Sequence, residues 1–584
     1  MRLLFGKICF VGLLFVVLSC KGTNKSFETI VPDSNKIDSV LLDSAVHVLI
    51  ESLPDSAGID IRLLKKLHET VPYSVLWVNA RSGIERTDTL LLSLSDAQRH
   101  GLSPEIFSTD TLALLKEMLR NSELSYSEIA QFEVNATLSF LKYCRAMQFG
   151  IVEPDVVFPG NYIPRKSADS LFVANCLLNV SSSLSAFLNS VQPVDSNYLA
   201  LQQMRNYYLQ YQDSLIDSIP LLPNKKTVKL YTHDSIIPLV IRRLLITGEL
   251  TRETAGDINR TLFDEKLLKS LDEFRYKTGL YLDKEIGNNT IRALNMSFAD
   301  YVNRVDVNLE RLRWKTAKSL GRKHIRVNVA DMTLRAFRND TLALKMNVVV
   351  GKAPLNKTPL LQSSVYEIVL NPTWTVPNSI VVKEISVLQA KDTSYLRRHK
   401  MRVYYKGVEQ KPDTIKWNRI SKKYQPYVIV QDSGNINALG RIKFNFGNRF
   451  SVYLHDTNAR SAFSRHNRAL SHGCVRVSKP YELAFFCLPE YDLNDKKRVE
   501  QREVFEDKIR YSTGLKVKTI PGKKALEEDS AIMRISKVQL RQLIPIIIEY
   551  HTCFRNEKNE VIFRDDIYGM DKSILAYLRK YKAN

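Results

Sequence analysis

A chain of 584 residues, 44% hydrophobic and 25% charged, is longer than one hydrophobic core usually organises, and this ordinary globular composition excludes a disordered or many-spanning membrane protein. Lys and Arg outnumber Asp and Glu by 84 to 62, a formal net charge of +22, so the long-range field favours an anionic partner. The sequence shows no zinc-finger spacing, no RNA-binding aromatic pattern and no concentrated basic helix, which argues against nucleic acid as that partner. An anionic glycopeptide polymer or a lipid surface accounts for the same charge.

Met1, Arg2 and Lys7 form a short basic region, and Ile8 to Leu18 is an apolar run of export-signal length, too short to span a bilayer comfortably. It closes on Val17-Leu18-Ser19-Cys20, which resembles the lipobox of bacterial lipoproteins. The resemblance implies a signal peptide over 1–19, a lipid on Cys20, and a chain anchored to a membrane in the cell envelope; a plain signal peptide or single anchor is the alternative. Of seven cysteines, Cys9 and Cys20 fall in the leader, which leaves an odd five and hence at least one free thiol. No C-x-x-C spacing suggests zinc or a redox pair, and neither a metal nor a cofactor is expected.

Residues 20–45 are polar and read as a tether. Over 46–232 apolar residues recur at helical spacing, as at Leu138, Leu141, Ala146 and Phe149, and read as a helical scaffold. Residues 233–297 place Leu267, Leu271 and Phe274 on one helical face, followed by Lys277-Thr278-Gly279-Leu280 and Ile286-Gly287-Asn288-Asn289-Thr290-Ile291-Arg292-Ala293-Leu294. This stretch resembles the small three-helix peptidoglycan-binding domain, with Asp283-Lys284 where that pattern has Asp-Gly.

A linker is expected over 298–322. From 323 the period becomes two, with Ile325, Val327 and Val329 alternating with polar residues, and a mainly β catalytic domain is expected over 323–571. An insertion capping the site is expected at about 380–432; between Lys383 and Lys423 it carries twelve Lys or Arg against four Asp or Glu. That charge is either a solvated face or a means of holding substrate carboxylates. Residues 572–584 read as a C-terminal tail. The whole is an α+β multidomain protein.

The chemistry concentrates in Tyr453-Leu454-His455-Asp456-Thr457 and Ser471-His472-Gly473-Cys474-Val475-Arg476-Val477, with fifteen residues between His455 and Ser471. A histidine at a strand end and a thiol after a glycine turn make a candidate base and nucleophile. A thiolate attacks amide carbonyls well even when only a fraction of the thiol is ionised. Gly473 permits a tight turn whose N–H groups are candidates to face a developing oxyanion. Asp456 is the neighbouring carboxylate, and Arg476 either binds a substrate carboxylate or fixes the turn through an ion pair.

These residues resemble the active-site pattern of the L,D-transpeptidase family with the YkuD-type catalytic domain. Val350-Gly351-Lys352, Thr358-Pro359, Asn371-Pro372-Thr373-Trp374, Asn437-Ala438-Leu439-Gly440 and Phe563-Arg564-Asp565-Asp566-Ile567-Tyr568-Gly569 resemble blocks of its long, YcbB-like subclass. The resemblance implies that Cys474 is the nucleophile and His455 the proton carrier. It further implies that the Asp456 main-chain carbonyl orients His455, that Gly473 and Cys474 supply oxyanion N–H groups, and that His472 supports the site. Arg476, Ser471, Tyr453, Trp374 and Asn437 are the implied substrate-binding residues. The implied partners are donor and acceptor tetrapeptide stems of peptidoglycan, joined by 3→3 cross-links, with carbapenems as acylating inhibitors. The rivals are a carboxypeptidase or endopeptidase using the same cysteine, and a non-catalytic lipoprotein tethering the envelope to the wall.

Overall fold

The computed structural model describes residues 37–70, 76–78, 82–121, 124–159, 165–180, 183–211, 217–314, 319–489 and 536–580, with isolated positions between 496 and 510. The leader, Cys20 and most of the expected tether lie outside the described residues. Among the described residues no helix is long and apolar enough to cross a membrane.

The scaffold is helical, and the first helix among the described residues, Ser39–Ser52, begins inside the stretch expected to be tether. Asp38 caps it by accepting the Val40 and Leu41 N–H groups, and Leu42, Ala45 and Val46 are buried, so the apolar side chains pull these residues into the bundle. The 24-residue helix Tyr126–Phe149 starts from a capping box between Ser125 and Glu128 and is buried on most of its faces. On it the fully buried Glu133 accepts the N–H groups of Leu76, Trp77 and Val78 at 2.6, 3.0 and 2.9 Å.

The next unit has its own core, from Ile219 to Leu294, and so starts earlier than residue 233. Helices Ile237–Thr247, Glu265–Thr278 and Asn288–Leu294 pack around Val240, Leu244, Leu271, Phe274 and Ile291, and Val228–Lys229 pairs with Glu285–Ile286. The expected linker is instead largely a helix, Phe298–Arg313, which joins the other units. Tyr301, Val302, Val305 and Leu309 bury one face of it. Its charged residues Asp306, Glu310, Arg311 and Arg313 are buried as well, each held by a partner, and most of those partners are distant in sequence. Asp306 accepts from Arg205 Nε at 2.5 Å, and Glu310 accepts the N–H groups of Ile151 and Val152 at 2.8 Å each and Arg313 Nη2 at 2.6 Å. Asn308 bonds Thr552, and Arg311 pairs with Asp571 at 2.6 Å.

The β-rich domain is built from strands β1 (Lys323–Asn328), β2 (Thr333–Arg338), β3 (Thr341–Gly351), β4 (Leu361–Leu370), β5 (Ile442–Phe446), β6 (Leu454–His455), β7 (Ala469–Ser471), β8 (Val475–Val477) and β9 (Ser536–Glu549). Their order is β7-β3-β8-β6-β5-β4-β9-β1-β2, and β2 also pairs with β3, which closes eight of the nine into a barrel. Period-two alternation sends Phe444, Leu454, Val475 and Val477 into the barrel core. Residues one step away on the same strands face outward.

Between β4 and β5 an insertion forms a separate cap. Strands Trp374–Thr375, Tyr427–Gln431, Met401–Tyr405 and Val408–Gln410 pair in that order over a core that includes Val376, Val381, Leu396 and Ile429. The cap thus begins at Trp374, a few residues before the expected 380. The expected tail is largely the helix Met570–Arg579, held by the buried Ile574 and Leu578.

Candidate active site

Strand register assembles the site. Lys443 on β5 stands opposite His455 on β6, and His455 stands beside Arg476 on β8, so three adjacent strands present Lys443, His455 and Arg476 on one outward rung. Their neighbours Phe444, Leu454, Val475 and Val477 point inward, and this alternation fixes the rung outside the barrel.

His455 is buried, and its Nδ1 lies 2.5 Å from the Asp456 main-chain oxygen. A carbonyl only accepts, so Nδ1 carries the proton and Nε2 keeps a lone pair, the tautomer a general base needs. Burial, the Arg476 guanidinium and the Lys443 ammonium together push the imidazole pKa down to about 3, so the resting ring is neutral. The Asp456 carboxylate turns away from it. Oδ2 accepts the Arg441 N–H at 2.9 Å and Oδ1 accepts from Arg460 Nη1 at 2.9 Å. Gly440, at φ +62°, lets the chain pass so close that a Cβ there would stand 2.3 Å from Asp456 Oδ2.

The turn before the thiol is held from two sides. Ser471 Oγ donates to the Cys474 carbonyl at 2.6 Å and accepts the Gly473 N–H at 3.1 Å. Beneath it the buried Thr358 Oγ1 donates to the Gly473 carbonyl and accepts the Gly351 N–H, both at 2.9 Å. The Tyr568 hydroxyl accepts the Thr358 N–H at 2.9 Å and donates to the Gly351 carbonyl at 2.8 Å. Gly473 sits at φ +120°, a conformation that favours glycine. Burial holds the Cys474 thiol above its ordinary pKa, opposed by hydrogen bonds from Tyr453 and by the Lys443 and Arg476 cations. The resting pair is therefore a thiol and a neutral imidazole.

Residues 322–500 match the L,D-transpeptidase catalytic domain. Residues 62–204 match the scaffold domain. A Haemophilus influenzae protein that carries the L,D-transpeptidase name is 29% identical over 249 residues, which cover 42% of this chain and 44% of that relative, so the match spans less than half of either. A crystal structure of the L,D-transpeptidase (residues 123-326) from Xylanimonas cellulosilytica is 13% identical and covers 45% of this chain and 91% of that one; at a TM-score of 0.15 it carries no argument about the fold. In this structure the L,D-transpeptidase-like barrel extends past residue 500, because β9 pairs with β4 and β1 to complete it.

Around this domain's rung the expected site residues separate into those that face the site and those that only support it. Tyr453 is half-buried with its ring edge on His455, centroids 5.6 Å apart, and Trp374 reaches its side chain from the cap. Arg476 has no acidic partner among the described residues and its Nε is buried without an acceptor, so the ion pair that was the alternative for it is not formed. His472 faces the cap, with Nε2 2.5 Å from Glu384 Oε1.

Three of the expected site residues have polar groups that are committed elsewhere in the structure. Ser471 is buried and its hydroxyl is committed to the turn, so it is not placed to bind substrate. Asn437 is fully buried: its Nδ2 donates to the Asp432 carbonyl at 2.9 Å and its Oδ1 accepts the Leu439 N–H at 2.7 Å. The Gly473 N–H is occupied by Ser471, and of the two expected oxyanion donors it is the Cys474 N–H that has no acceptor among the described residues.

Lys443, Glu384 and the individual roles of Thr358 and Tyr568 were not expected from the sequence. The last two stood inside family-like blocks, whereas Lys443 and Glu384 carried no local signal.

Proposed function

We propose that the protein is an L,D-transpeptidase that joins peptidoglycan stem peptides by 3→3 cross-links through a thioester on Cys474. The observation that carries this reading is the rung. A neutral imidazole, fixed as the Nε2 base by the Asp456 carbonyl, lies between two cations and beside the strand that follows the thiol.

In this account His455 Nε2 takes the Cys474 proton as sulfur attacks the carbonyl of the third residue of a donor tetrapeptide. The Cys474 N–H donates to the oxyanion. Collapse breaks the amide bond, and the departing D-alanine amine takes the proton from His455, leaving a thioester. An acceptor amine then attacks the thioester, gives a proton to His455, and displaces the sulfur, which recovers the proton. Arg476 holds the terminal carboxylate of the donor, and Trp374 and Tyr453 line the cap side.

The same reading makes 1–19 a signal peptide, Cys20 the lipid anchor of a periplasmic enzyme, and the unit around 219–294 a peptidoglycan-binding module. It also makes Cys474 the site of carbapenem acylation. Purified enzyme incubated with tetrapeptide stems, with and without an acceptor stem, tests it by chromatography and mass spectrometry of products. Acceptor-dependent dimers and released D-alanine are expected; tripeptide and D-alanine alone at every acceptor concentration mean a carboxypeptidase instead.

A further inference from the structure

Another cavity lies where the helices Ser196–Leu209 and Phe298–Arg313, the unit around 219–294 and the hairpin of Cys553–Arg555 and Val561–Phe563 meet. It encloses about 370 Å³, within the range of small-molecule sites, and none of the described residues lining it belongs to the catalytic rung. One wall is aromatic. Tyr208 stacks on Tyr301 with centroids 4.6 Å apart, Phe563 meets Tyr301 edge-on at 5.0 Å, and Tyr207 meets Tyr208 edge-on at 5.6 Å. The Tyr207 hydroxyl donates to the Ile246 carbonyl at 2.5 Å, so its proton is already committed.

The polar feature of the cavity is Glu249, just past the helix Ile237–Thr247. Its side chain is 4% exposed, and Oε1 lies 3.2 Å from Lys277 Nζ. Oε2 is buried with no hydrogen-bond partner among the described residues. Burial pushes this carboxyl above its ordinary pKa, opposed by the Lys277 ammonium beside it. A desolvated carboxylate oxygen without a donor is costly, and a ligand that brings a donor recovers that cost.

Charge narrows what the ligand is. Lys277 is the one cation among the described lining residues, and it is shared, because its Nζ also lies 2.9 Å from Glu273 Oε1. Glu560 adds a second carboxylate to the wall. On a chain of net charge +22 this cavity is locally acidic, which disfavours an anion and favours a cation. A cation that carries N–H groups on an apolar body satisfies Glu249 Oε2 and the ring wall together.

We propose that this cavity binds an organic ammonium, whose N–H donates to Glu249 Oε2 while its apolar body packs against Tyr207 and Phe563. The site is separate from acyl transfer, and the proposal does not rest on the transpeptidase reading.

Ligand-observed NMR titration of the full chain tests this with two probes, benzylamine and benzyl alcohol, which share a ring and differ in charge. Benzylamine is expected to saturate with a Kd of about 0.1–1 mM, ordinary for so few atoms, and the alcohol to bind at least tenfold more weakly. Glu249→Gln keeps the side-chain shape and leaves Lys277 its pair with Glu273. It should weaken benzylamine at least tenfold and leave the alcohol nearly unchanged, with circular dichroism confirming the fold. If that variant does not fold, the comparison of amine with alcohol on the wild-type chain still decides. Equal affinity for the two probes, no saturation by benzylamine in the millimolar range, or full amine affinity in folded Glu249→Gln overturns the proposal.

Discussion

The neutral state of the resting pair has a direct kinetic consequence. Burial holds the Cys474 thiol above its ordinary 9.0, and His455, at about 3, stays unprotonated across the physiological range. Below its pKa a thiol gains tenfold in thiolate for each pH unit. Alkylation of Cys474 by the uncharged reagent iodoacetamide should therefore rise about 100-fold from pH 6 to pH 8 with no plateau. Removing a neighbouring cation, as in Arg476→Leu, disfavours the thiolate and should move the whole profile to higher pH. The assay follows modification of the peptide carrying Cys474 by mass spectrometry, which separates it from the buried Cys144, Cys176, Cys487 and Cys553. A plateau reached below pH 7 would mean a preformed thiolate–imidazolium pair in place of the neutral one.

Thr358→Val removes one hydroxyl at nearly constant volume and leaves the buried Gly473 carbonyl and Gly351 N–H without partners, at about 1–3 kcal/mol each. Turnover should drop at least tenfold and proteolysis near the turn should increase; unchanged kinetics would show that the turn is held by Ser471 alone. Glu310→Ala leaves the fully buried Arg313 without its carboxylate, at about 3–5 kcal/mol, and also frees the Ile151 and Val152 N–H groups. Limited proteolysis should then release the scaffold helices from the barrel at lower protease concentration than in wild type, and equal resistance would contradict the joining role of the helix Phe298–Arg313.

What the sequence revealed follows from how local each signal is. His455 and Cys474 were legible because a strand end and a glycine turn carry them within one short stretch. The alternation in Ile325, Val327 and Val329 likewise announced β1. The helix Phe298–Arg313 read as linker because Asp306, Glu310, Arg311 and Arg313 look like solvent-facing charge, and nothing local shows that Arg205, the N–H groups after Gly150, and Asp571 await them. Ser471 and Asn437 sit in the right stretches, but their polar atoms are spent on the backbone, a fact that only geometry discloses. Lys443 was invisible for a further reason: its place beside His455 is a matter of strand register, twelve residues away in sequence.

In the proposed mechanism Cys474 carries the acyl group. Intact-protein mass spectrometry of enzyme mixed with donor tetrapeptide, quenched in acid before acceptor is added, tests this most directly. The expected adduct equals the donor less D-alanine, lies on the Cys474 peptide and is absent from a folded Cys474→Ala protein. Cross-linked product formed at an undiminished rate by Cys474→Ala, or an adduct on another residue, would contradict it.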